Sequence, residues 1–113
     1  MAGVQRQAHT LWEGPLMGGK GDTEFASSGI GRFPVTWAAR TESPEGKTSP
    51  EELLAAAHAT CYAMAFSGFL AQAGNAPERL HVTSTVSFIH SARSSLWKLV
   101  IFRSPTRSKA LPV

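Results

Sequence analysis

A second cysteine is missing from this chain: Cys61 is the only one, which excludes an intrachain disulfide and favours a reducing compartment. No uninterrupted apolar stretch approaches the roughly 18 residues that a membrane-spanning helix needs, so no membrane span is expected. The segment Met1-Ala2-Gly3-Val4-Gln5-Arg6-Gln7 has no apolar core and does not read as a secretory signal. The nucleotide-binding pattern GxxxxGK[ST] is absent, so Gly18-Gly19-Lys20-Gly21-Asp22 reads as a hairpin connection rather than a phosphate cradle. His9, His58, His81, His90 and Cys61 show no zinc-type spacing, and no metal site is expected. Acidic residues and glycine are both absent after residue 86, whereas Arg93, Lys98, Arg103, Arg107 and Lys109 are all basic. These five charges are scattered and form no nucleic-acid motif, so nucleic-acid binding is not expected.

What is present fits one soluble, cytoplasmic domain. A length of 113 residues suits a single core, and a hydrophobic fraction of 42% is ordinary for a folded protein. Residues 8 to 13 read as a first strand closed by Gly14-Pro15. Thr23 to Ser27 reads as a second strand, and Phe33 to Thr41 as a third with Val35 and Trp37 on one face. The polar stretch Glu42 to Thr48 reads as a loop. A helix then has complete start signals: Ser49 as N-cap, Pro50 at the first helical position, and Glu52 three residues after Ser49 as in a capping box. It is expected to run to about Ala73, stopped by Gly74-Asn75 with Pro77 beyond. Ala55, Ala56, Ala57, Ala59, Ala63, Ala65 and Gly68 crowd it with small side chains. A helix without a polar face has to be covered on most sides, so its expected place is the centre of the protein or of a dimer. Leu80 to Ile89 alternates as a half-buried strand, and the short apolar run Trp97 to Phe102 reads as another strand. The expected class is α+β, an antiparallel sheet packed on a long buried central helix.

Cys61 is where the chemistry concentrates. A thiol attacks as its thiolate, and free cysteine titrates near ~8.5. Cys61 lies about three turns into the helix, beyond the reach of the helix N-terminus, and burial among alanines opposes ionisation. A cation from elsewhere has to activate it. Arg40, expected to end the third strand, is the best candidate, and Glu51 at the helix entrance would hold such an arginine. His58, three residues before Cys61, is a rival as a general base. The plainer readings are a cysteine that fills the core and a histidine that packs at its edge.

The stretch Gly46-Lys47-Thr48-Ser49-Pro50-Glu51-Glu52-Leu53-Leu54-Ala55-Ala56-Ala57-His58-Ala59-Thr60-Cys61-Tyr62-Ala63-Met64-Ala65 resembles the signature of the OsmC/Ohr peroxidases. Ala57-His58-Ala59 resembles the OsmC branch more than the Ohr branch. The likeness extends upstream through Ala8 to Gly14, Ser27-Ser28-Gly29 and Ala39 to Glu42, and downstream to about Phe88. It implies an organic hydroperoxide reductase, a cysteine-based peroxidase of oxidative and osmotic stress that uses no cofactor. It implies Cys61 as the peroxidatic cysteine, Arg40 as the arginine that stabilises its thiolate, and Glu51 as that arginine's carboxylate. It implies an organic hydroperoxide as substrate, a small or protein dithiol as reductant, and an intertwined homodimer.

The likeness fades after residue 88. Residues 1–88 read as the N-terminal part of an OsmC-like domain and 89–113 as a divergent basic tail, with the composition of a truncated or out-of-frame end. The family's resolving cysteine lies beyond that point, in a Cys-Pro motif that this sequence lacks. The expectation is an impaired peroxidase, and the alternative is a non-catalytic fragment that at most dimerises.

Overall fold

A computed structural model of the chain describes residues 3–90, 97–103 and 107–110. The chain divides into two compact units, Met1–Pro50 and Glu51–Val113. The class is α+β as expected, with antiparallel sheets and one long helix.

The first unit is a three-stranded antiparallel sheet in the order β1 (His9–Glu13), β2 (Lys20–Glu24), β3 (Arg32–Val35), followed by a short helix α1 (Trp37–Thr41). The β1–β2 register runs from His9 opposite Glu24 to Glu13 opposite Lys20. The second strand therefore begins three residues earlier than the composition suggested, inside the glycine cluster. Gly21 explains this. A Cβ there would lie 2.8 Å from both the Leu11 carbonyl oxygen and the Trp12 ring, so only glycine fits at that point in the ladder. Thr10 and Thr23 join their hydroxyls across the two strands at 2.9 Å.

The expected third strand, Phe33 to Thr41, is corrected: the strand stops at Val35 and the chain turns helical. Thr36 is extended (φ −143°, ψ 162°), and its hydroxyl accepts a hydrogen bond from the Ala39 amide at 3.1 Å. That is an N-cap, and it converts the apolar run after it into a helical turn. Beyond α1, the Lys47 amide donates to the Pro44 carbonyl at 2.9 Å and closes a turn. Glu45 (φ 46°) and Gly46 (φ 79°) are both left-handed in that turn.

The second unit holds α2 (Pro50–Gln72) and four strands, β4 (Pro77–His81), β5 (Ser84–His90), β6 (Trp97–Arg103) and β7 (Arg107–Ala110). Helix α2 starts at Pro50 as expected and ends one residue short of Ala73. The Asn75 amide donates to the Leu70 carbonyl at 2.8 Å and the Gly74 amide to the Ala71 carbonyl at 3.0 Å, with Gly74 at φ 84°. This is a Schellman termination, satisfying two carbonyls that the helix leaves open. The expected single strand from Leu80 to Ile89 is two strands, interrupted at Val82-Thr83. β5 pairs antiparallel with β6 along its whole length, and β4 with β7, so the described strands form three sheets where a single one was expected. Residues 97–103 and 107–110, expected in a divergent tail, thus supply two of the paired strands.

The expected burial of the long helix does not hold within one chain. Glu51 is the only buried residue of α2, while Leu54, Met64 and Phe69 are 41%, 72% and 68% exposed. Apolar residues surround the helix on every side, and apart from Glu51 every residue of α2 is exposed or half-buried. The 23 residues of α2 have a mean hydropathy of 1.4 in their best window, so the helix is long and apolar enough to cross a bilayer. Length and composition of this kind also occur in helices that another subunit covers, and Thr60, His58 and Ser67 interrupt the apolar sequence.

Candidate active site

Arg40 lies in the last turn of α1, in the first unit, rather than at the end of a strand. Its guanidinium carbon stands 5.8 Å from the centre of the Trp37 ring, a cation–π contact between positions i and i+3 of the same helix. The planar arginine head therefore has an aromatic support supplied by its own element.

Glu51 and Cys61 both lie on α2, in the second unit. Glu51 is 7% exposed, an unusual degree of burial for a carboxylate, which is rarely removed from water without compensating contacts. Cys61 is exposed, contrary to the expectation of a thiol sunk among alanines. The two residues are ten positions apart, about 15 Å along the helix axis, so α2 alone does not bring them together.

The exposure pattern divides α2 into two faces. Ala55, His58, Ala59, Tyr62, Ala63, Phe66, Ser67 and Leu70 are half-buried and recur at helical spacing. His58, Tyr62 and Phe66 form an aromatic ladder on this face, with ring centres 6.5 Å and 5.9 Å apart. The opposite face, Leu54, Ala57, Cys61, Met64, Ala65 and Gly68, is exposed. Cys61 sits in the middle of that face among small neighbours. His58 borders it, and its Nε2 is sealed from solvent without a hydrogen-bond partner. Sequence reasoning named His58 as a rival base but had no means of finding this orphaned atom, which depends on packing. No cluster of histidine, cysteine and carboxylate residues suited to a metal occurs among the described residues.

Helix α2 by itself offers an accessible sulfur with a small-residue face beside it, and the first unit by itself holds an arginine against an aromatic ring. The family model of the OsmC-like proteins matches residues 43–103, which include Glu51, Cys61 and strands β4 to β6. The chain belongs to the OsmC-like family. It is 42% identical over 84 residues to peroxiredoxin OsmC of Escherichia coli (strain K12), and equally to that of Shigella flexneri. Each alignment covers 74% of this chain and 58% of the relative, so the chain spans less than two thirds of the length of the relatives it matches. In three dimensions it resembles the organic hydroperoxide resistance protein OhrB of Bacillus subtilis, with a TM-score of 0.68 and 18% identity. That likeness covers 94% of this chain and 74% of OhrB, and it establishes a shared fold.

Proposed function

We propose that this chain is a cysteine-based peroxidase that reduces organic hydroperoxides at Cys61. The observation that carries the reading is the exposed thiol on α2, within the segment matched by the OsmC-like family model. The names of the peroxiredoxin OsmC relatives support the activity. In the reaction the Cys61 thiolate attacks one peroxide oxygen and the O–O bond breaks. The leaving alkoxide takes up the proton the thiol has released, giving an alcohol and a sulfenic acid. The 113 residues hold no second thiol, so a small or protein dithiol from outside the sequence has to return the sulfur to its reduced state.

In this reading Arg40 supplies the positive charge that favours the thiolate, and Glu51 is the carboxylate that holds Arg40 in place. The buried state of Glu51 and the ring support of Arg40 suit fixed, paired roles. The working form is a homodimer in the cytoplasm, a second copy covering the exposed face of α2. The single cysteine suits a reducing compartment, and neither nucleic acid nor membrane takes part.

Incubation with cumene hydroperoxide tests the reading. One equivalent of peroxide consumed per Cys61, followed by slow turnover when a dithiol is added, is the expected result. Cys61→Ser is expected to consume none. Arg40→Ala is expected to slow the first equivalent about 10- to 100-fold, the range for a hydrogen bond to a charged group. A thiol that consumes no peroxide would identify the chain as a non-catalytic member of its family.

A further inference from the structure

The basic residues after residue 86 are scattered along the sequence, but strand pairing gathers two of them with a third. In the β4–β7 ladder Lys109 stands directly opposite Arg79, and Arg107 directly opposite His81. Directly opposed residues of an antiparallel pair share a face, and like charges so placed destabilise the pairing. No acid offsets them in the register, whose other partners are Pro77 with Ala110 and Leu80 with Ser108. Glu78, the acid of β4, stands where the register shifts between Pro77 and Arg79, outside the opposed pairs. Arg79 and His81 are exposed whereas Pro77 and Leu80 are half-buried, so β4 turns its basic positions to water. Neither strand pairs with a third among the described residues, so the array belongs to a ribbon two strands wide. Its positions are about 5 Å apart across the ribbon and about 7 Å apart along each strand.

Repulsion of this kind is relieved when a partner with several negative charges lies over the array. We propose that the face of the β4–β7 ribbon that carries Arg79 binds the phosphate backbone of a DNA duplex. This property is separate from the peroxide reaction, in which no nucleic acid takes part. Arg79, Arg107 and Lys109 are three basic residues in a compact group, and guanidinium groups match phosphate oxygens in pairs. The major groove of B-form DNA admits a ribbon of two strands. Neither β4 nor β7 contains asparagine or glutamine, the amides that read adenine, so phosphates set the binding and base sequence contributes little. A lipid surface also carries phosphate. A protein that lies on one buries apolar side chains beside its cations, however, and the two basic pairs of this face include none.

The fluorescence anisotropy of a short labelled DNA duplex, titrated with the full chain, reads the binding. With three phosphates neutralised, the logarithm of the affinity is expected to fall against that of salt with a slope of about −2.7, or about 40-fold between about 50 and 200 mM. Arg79→Glu is expected to bind several-fold more weakly, with a slope shallower by about one. The same substitution sets an acid opposite Lys109, so its melting temperature is expected to equal or exceed that of the wild type, which separates lost binding from lost folding. Lys109→Glu makes the reciprocal test. Arg6→Glu changes net charge equally at an exposed position of the first unit and is expected to bind as the wild type does. No binding, binding indifferent to salt, or equal losses in Arg79→Glu and Arg6→Glu overturn the inference. So does tighter binding to poly-glutamate, or to vesicles of phosphatidylcholine and phosphatidylserine in equal parts, which would assign the face to carboxylates or to lipid.

Discussion

Glu24 shows how far single residues tie the first sheet together. One of its carboxylate oxygens meets Arg32 at 3.0 Å and His9 at 3.1 Å, and the register puts all three directly opposite one another across β1, β2 and β3. The hydrogen bond and the positive charge from Arg32, with a further hydrogen bond from His9, hold the Glu24 carboxyl below its ordinary value of 4.5. A carboxyl whose pKa is lowered by folding stabilises the fold above its unfolded value, and that contribution disappears as pH falls through the lowered value. Its stabilising effect is therefore full above about pH 4.5 and lost in stronger acid. Thermal melts of Glu24→Gln beside the wild type are expected to differ slightly at neutral pH and to converge in acid. High salt is expected to narrow the difference, because the cluster faces solvent. Arg40 belongs to the same scale. Its flat head lies over the Trp37 ring, so Arg40→Lys keeps the charge but loses the planar fork. It is expected to restore only part of the peroxide reactivity lost in Arg40→Ala, measured as the rate of the first equivalent consumed.

Whole elements were legible in the sequence where local signals agreed. Helix α2 is the clearest case: Pro50 at its start, alanines through its length and Gly74-Asn75 at its end all carry one message, and the observed bounds differ by a single residue. Cys61, Arg40 and Glu51 were singled out as chemistry, but their surroundings were not legible. The exposure of the thiol and the orphaned Nε2 of His58 depend on packing. The strands went astray where one residue overrode a pattern. Gly21 reads as a turn former, yet it is needed where backbones pass too closely for a Cβ. Thr36 looks like one more β-branched strand residue, yet its hydroxyl caps α1 and turns Arg40 from strand to helix. Two substitutions test the turn chemistry. Gly74→Ala forces a side chain into φ 84° and is expected to destabilise by about 1 kcal/mol in urea unfolding. Glu45 occupies φ 46° ahead of Gly46, so Glu45→Asn, which gives the turn its preferred Asn-Gly pair, is expected to stabilise by roughly 0.5 kcal/mol.

At the scale of the whole molecule the question is what covers α2. Ala39 is the only buried apolar residue among the described residues, whereas a chain of this length ordinarily hides about two thirds of its unfolded surface. In the dimer proposed above a second copy would supply that burial, and the exposed face of α2 is suited to receive it. Its small residues, Ala57, Cys61, Ala65 and Gly68, allow a second backbone to come close, and Met64 offers a flexible apolar filler. If a second copy supplies the cover, folding and association are one equilibrium, and stability depends on protein concentration. The melting temperature is then expected to rise with concentration, and the chain to elute as a dimer. Met64→Glu sharpens the test. Met64 is 72% exposed in a single chain, and a substitution at so open a site changes monomer stability by no more than about 0.5 kcal/mol. A charge buried without a partner in a dimer interface is far more damaging. Met64→Glu is therefore expected to shift the elution to a monomer and remove the concentration dependence of melting. A variant that elutes and melts as the wild type does would show that this face of α2 stays open to water.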